Sequence, residues 1–136
     1  MTNVRFVIVA MAILLVAGIA SADEVKLRSS QIAPAAEGKI DYQHDRNGNT
    51  SMELKVEHLA TPNSLQPVKQ VYVVWVQAPG QPPENQGVLK VNEDLKGSIK
   101  MITRNESFDV FVTAEDTPSV TQPSGMEVLR ASVQNR

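Results

Sequence analysis

The chain has 136 residues, with 13 Lys and Arg against 15 Asp and Glu, a formal net charge of −2 and no cysteine. A balance this even, with no clustered run of lysine or arginine, argues against nucleic acid or an anionic membrane surface as a partner. The lack of cysteine excludes disulfides, so any folded domain must stand on its apolar core.

The first element is N-terminal. Arg5 supplies one positive charge, an uncharged apolar run follows from Phe6 to Ala20, and Gly18 interrupts it. Ala20 and Ala22 flank Ser21 just before acidic Asp23. That order reads as a secretory signal helix over residues 1–22, cut after Ala22. The apolar run is shorter than the roughly 20 residues a spanning helix needs. No membrane span is therefore expected after cleavage, and an uncleaved signal would serve as an anchor. Residues 23–136 are then one exported domain, periplasmic or secreted, large enough for a single core. Loss of Arg5 leaves 12 basic against 15 acidic residues.

The exported part shows little helical period and much alternation. Val25–Ile32 reads as a first, edge strand. In Gly38–Asp45, Ile40, Tyr42 and His44 alternate with Lys39, Asp41 and Gln43. In Ser51–His58, Met52, Leu54, Val56 and His58 alternate with Ser51, Glu53, Lys55 and Glu57. Each such strand buries one face and wets the other. Between them, Arg46-Asn47-Gly48 predicts a three-residue hairpin loop with a left-handed, bulged Gly48. That register sets Tyr42 opposite Met52 and Ile40 opposite Leu54, keeping the apolar side chains on one face. Val71–Gln77 is apolar on both faces and reads as a central strand, with Trp75 the expected centre of the core. Gly87–Val91, Ser98–Thr103, Phe108–Ala114 and Met126–Val133 complete about 7–8 strands. The spacing predicts an all-β fold, an antiparallel sandwich or a small barrel.

The order Val71-Tyr72-Val73-Val74-Trp75-Val76, then Gly87-Val88-Leu89, then Phe108 to Glu115, then Pro123-Ser124-Gly125 before a last apolar strand resembles the extracytoplasmic C-terminal domain of the anti-sigma-K factor (RskA-like) family. The resemblance covers residues 68–133. It implies an immunoglobulin-like β-sandwich beyond the membrane. Asp116-Thr117-Pro118-Ser119 stands where that family often has a Gly-Gly-Ser stretch. Nothing N-terminal to the domain reads as the family's cytoplasmic sigma-binding part, so the resemblance implies the outer domain alone.

Residues with chemical potential are few. Asp45-x-Asn47-x-Asn49 carries alternating oxygen ligands, but Thr50 and Val56 stand where a calcium loop needs glycine and glutamate; a turn explains the same residues. His44 and His58 fall on the inward faces, too far apart in register to share a metal, and each reads as a satisfied, partly buried histidine. Met52, Met101 and Met126 take strand positions that mark them as core rather than copper ligands. Asn49 and Asn105 begin glycosylation triplets, which matter only in a host with that machinery. No nucleophile, phosphate-loop or zinc-protease spacing occurs. The expectation is therefore no enzyme, no cofactor, no metal and no assigned site residue. The Pro-rich loops 79–83 and 115–125 are either exposed recognition surfaces or stiff connectors, and Gln77, Gln81 and Gln86 are available to hydrogen-bond sugars. The expected function is that of an exported non-catalytic binding or sensor module of the cell envelope, its partner an envelope protein. The alternative is a carbohydrate or cell-wall polymer-binding module.

Overall fold

The computed structural model describes residues 23–134; the expected signal segment 1–22 lies outside them. Eight strands follow in chain order: β1 (Asp23–Ser29), β2 (Glu37–His44), β3 (Thr50–Glu57), β4 (Val71–Gln77), β5 (Glu84–Leu89), β6 (Gly97–Thr103), β7 (Phe108–Glu115) and β8 (Glu127–Val133). A 3-10 turn, Pro62–Ser64, is the one helical element among the described residues. Every strand pair is antiparallel, in the order β5-β4-β7-β8-β1-β2-β3-β6.

The all-β, antiparallel expectation holds. The strands nevertheless form one continuous sheet rather than two separate ones. The reason lies in β1, expected at an edge but placed between two neighbours, where it serves both halves: Asp23–Leu27 pairs with β2, and Arg28–Ser29 pairs with β8. The sheet curls until its two edges, β5 and β6, approach at one end, giving a nearly closed barrel. At that approach a Cβ on Gly97 would collide with the Lys90 carbonyl oxygen. Glycine alone lets β6 start so close to the end of β5.

The β2–β3 hairpin takes the expected register, with Tyr42 opposite Met52 and Ile40 opposite Leu54. Gly48 is left-handed at φ +81°, and the Asp45 N–H donates to the Asn49 carbonyl at 2.9 Å. Ile40, Leu54, Val56, Tyr72, Val74 and Leu129 are buried in the interior, to which each large side chain contributes about 1.5–3 kcal/mol. An irregularity between Val112 and Thr113 turns both Val128 and Leu129 into that core.

Strand β4 is buried on both faces, as its sequence demands. Trp75, however, is not at the centre of the main core. Its ring joins Val73 and Phe111 in a second, smaller cluster on the outer face, packed against Val71 and Val120. The unbroken apolar run of β4 assigns no parity, so pairing with β7 decides which residues face outward.

Candidate functional site

The outer face of β1-β2-β3 is ordered by register into rows of one sign, and β6 adds Ser98 beside Lys55 and Lys100 beside Glu53. Lys26 pairs with Lys39 and Lys39 with Lys55, so three ammonium groups cross three neighbouring strands. One step along the strands, Glu24 pairs with Asp41 and Asp41 with Glu53. On the other side of the lysines, Glu37 stands opposite Glu57. The face is thus a basic row between two acidic ones. Ion pairs cross the rows at Lys39–Glu24 (3.9 Å), Lys55–Asp41 (3.9 Å) and Lys55–Glu53 (3.1 Å). The Glu53 hydrogen bond, helped by the surrounding carboxylates, raises the Lys55 ammonium above its ordinary value. Exposed pairs of this kind add little to stability, so the rows matter more for what they present than for what they hold together.

Beside these rows lies a groove of about 850 Å³. Lys26, Lys39, Lys55 and Lys96 line it, with Glu37 and Glu57 on the flanking row. Leu27, Ala36 and Val56, buried in the core, underlie it, while the exposed Asn92 and Ser98 add hydrogen-bonding groups. Its walls come from four strands of one sheet and the β5–β6 turn. That turn is itself fixed by Asn92, whose side chain accepts from the Asp94 and Lys96 N–H groups at 2.9 and 3.0 Å.

Glu37, Glu57 and His58 form a further cluster, their ligand atoms all within 4.8 Å of one another. All three side chains are exposed, which leaves the donors free to move with the solvent rather than held for an ion. The position of His58 differs from the inward, partly buried one expected. The chain turns left-handed there, at φ 54°, so the alternation of β3 ends and Leu59 takes the buried place instead.

His44 and Thr50 form a hydroxyl–imidazole pair, Nδ1 to Oγ1 at 2.7 Å. Thr50 is fully buried and donates its own proton to the Asn105 carbonyl at 2.8 Å. Its Oγ1 therefore accepts from His44 Nδ1–H, and the pair is a strut rather than a nucleophile with its base. Tyr42 packs edge-on to the same imidazole. The Asp45 carboxylate accepts from the Asn47 and Asn49 N–H groups at 2.8 and 2.9 Å, and those bonds, Asn49 first, lower its pKa. The Asp-x-Asn-x-Asn segment is thus a hairpin turn. Met52 and Met101 are core, with Met126 packed against it. Gln77 and Gln86 are spent on local carbonyls of Gln81 and Glu84.

On the opposite face, loop 116–125 is strapped down over Trp75. The indole N–H donates to Thr113 Oγ1 at 2.8 Å, and that hydroxyl donates to Glu115 Oε2 at 2.5 Å. The same carboxylate oxygen accepts from the Ser124 N–H at 3.0 Å. Asn85 Nδ2 holds the Pro118 and Val120 carbonyls at 3.0 and 2.9 Å. Beside Trp75, Phe111 stacks at 6.3 Å, and the Arg130 guanidinium lies 4.3 Å from the Phe111 ring centre. Hydrogen bonding to Glu127, more than the charge of Asp109, raises the Arg130 pKa. The loop expected as a recognition surface or a connector therefore acts as a cover.

Sequence reasoning missed the lysine row and the two anchors Asn85 and Glu115. The hairpin register already implied Lys39 opposite Lys55, but the addition of Lys26 needed the pairing of β1. Neither a family model nor a curated protein matches the chain.

Proposed function

We propose that this chain is an exported, non-catalytic binding or sensor module of the cell envelope. In this reading it resembles the outer domain of the anti-sigma-K factors without their sigma-binding part. The curled sheet then acts as an immunoglobulin-like two-layer packing, with β1-β2-β3-β6 over β5-β4-β7-β8 and β1 shared. The observation that carries the binding role is the groove beside the charged face. It is lined by residues of four strands, and the register sets Lys26, Lys39 and Lys55 in one row and Glu37 and Glu57 in the next. The signal-like order of residues 1–22 supports export, and the hydroxyl of Thr50, spent on the Asn105 carbonyl, leaves the His44–Thr50 pair without a nucleophile.

The test is in-cell cross-linking of a C-terminally tagged chain, followed by mass spectrometry of the captured material and of the mature N-terminus. The expected result is one reproducible envelope protein partner and Asp23 as the first residue. A turnover activity that disappears in His44→Ala would contradict the reading. The groove's size and polar lining favour a second reading, a carbohydrate or cell-wall polymer-binding module. That reading expects retention on glycan or cell-wall matrices.

A further inference from the structure

We infer that the groove seats a chain of acidic sugars, whose anionic groups engage Lys26, Lys39, Lys55 and Lys96. The inference rests on the binding-module reading and names the ligand class of the same groove.

The first argument is local charge. The protein is net acidic, yet the groove's own lining has four lysines against two glutamates, with Glu24, Asp41 and Glu53 on the row beyond. Lys26, Lys39 and Lys55 face one another across adjacent strands, an arrangement of like charges that is unfavourable by itself. Lys39 and Lys55 have carboxylates on one side. Lys26 and Lys96 have no ion pair among the described residues and present their charge to whatever enters the groove.

The second argument is the spacing of the row. Adjacent strands lie about 4.8 Å apart, so Lys26 and Lys55, two strands apart, stand about 10 Å from each other, comparable to two sugar rings of an extended polysaccharide that is acidic at every second sugar. A linear polymer laid across the strands meets these cations in turn.

The third is the remaining lining. Asn92 and Ser98 are exposed and offer hydrogen bonds to hydroxyls, whereas Leu27, Ala36 and Val56 belong to the core. No aromatic residue lines the groove, so an uncharged glycan has no stacking platform there. Glu37 and Glu57 on the flanking row repel a densely charged polyanion, which favours a polymer with its acid groups spaced out.

Isothermal titration of the purified protein with hyaluronan oligosaccharides, neutral cello-oligosaccharides and inorganic polyphosphate tests the inference. The acidic oligosaccharide is expected to bind, with an affinity that falls as salt rises. The cello-oligosaccharide is expected not to bind, and polyphosphate to bind more weakly than hyaluronan. Lys26→Gln and Lys96→Gln each remove one charged contact and break no ion pair; each is expected to weaken binding about tenfold, with an unchanged melting temperature. Lys100→Gln, outside the groove, should leave affinity unchanged. Equal binding of acidic and neutral oligosaccharides, tighter binding of polyphosphate, unchanged affinity in Lys26→Gln and Lys96→Gln, or no binding of hyaluronan would each overturn the inference. The binding-module reading keeps its own readout, the cross-linked protein partner.

Discussion

Strands β3 and β4 belong to one sheet and line one interior, yet their outer faces have opposite fates. On β4, Val73 and Trp75 are as buried as the inward Val74 and Val76. On β3, Ser51, Lys55 and Glu57 are exposed between the buried Met52, Leu54 and Val56. The difference comes from what lies above each. Loop 116–125 covers β4 and is tied down through Asn85 and Glu115, whereas the outer face of β3 carries ion-pair rows. Strands β4 and β7 are thus packed on both faces and support the fold. The β1-β2-β3-β6 side is packed on one face and is free to present chemistry on the other.

The largest expected effect is on the covered side. Trp75→Ala removes a fully buried ring and should destabilise by about 3–5 kcal/mol, read from urea unfolding. A negligible change would mean that the outer cluster carries no stability. Asn85→Ala loses both bonds that hold the strap and should cost about 1–3 kcal/mol. Its sharper signature is acrylamide quenching of Trp75 fluorescence, which should rise as the loop lifts; unchanged quenching would break the claim that the loop is the cover.

On the open side the effects shrink. Gly48→Val forces a branched residue into the left-handed turn and should cost roughly 1–2 kcal/mol, measured by thermal melting. Unchanged melting would contradict the bulged loop. Asp45 is more acidic in the fold than its ordinary 3.8. Its contribution is therefore present above that pH and is lost as pH falls through the lower folded value. Asp45→Asn keeps an acceptor but no charge, so the acid limb of its melting profile should flatten. Lys39→Gln, on the charged face, should change stability by less than about 0.5 kcal/mol. A loss comparable to that of Trp75→Ala would erase the distinction between the two sides.

Local chemistry made the open side legible. Asn47-Gly48 and the alternation around it set the β2–β3 register, because a slip by one residue would turn Ile40 and Leu54 outward. The strands themselves were legible from alternation and turn residues, their ends shifted by a few residues. The covered side was less so, because an apolar run such as Val71 to Val76 does not say which parity faces the main core. The single curled sheet depends on β1 pairing with both β2 and β8, and residues so distant in sequence leave no local signal. His58 was misplaced because alternation cannot foresee a left-handed residue that ends it. The lysine row was half visible: Lys39 and Lys55 followed from the hairpin, while Lys26 waited for tertiary pairing. Charge counts along the chain suggested no basic site, because register rather than sequence proximity assembles this one.

The most direct test of this division of labour is position-resolved photo-cross-linking in cells. A photoreactive residue is placed either at Lys39, on the open face, or at Gln122, on the covering loop. The account predicts adducts from position 39 and none from position 122, on a protein beginning at Asp23. Adducts from position 122 alone would contradict it and move the binding surface to the strap over Trp75.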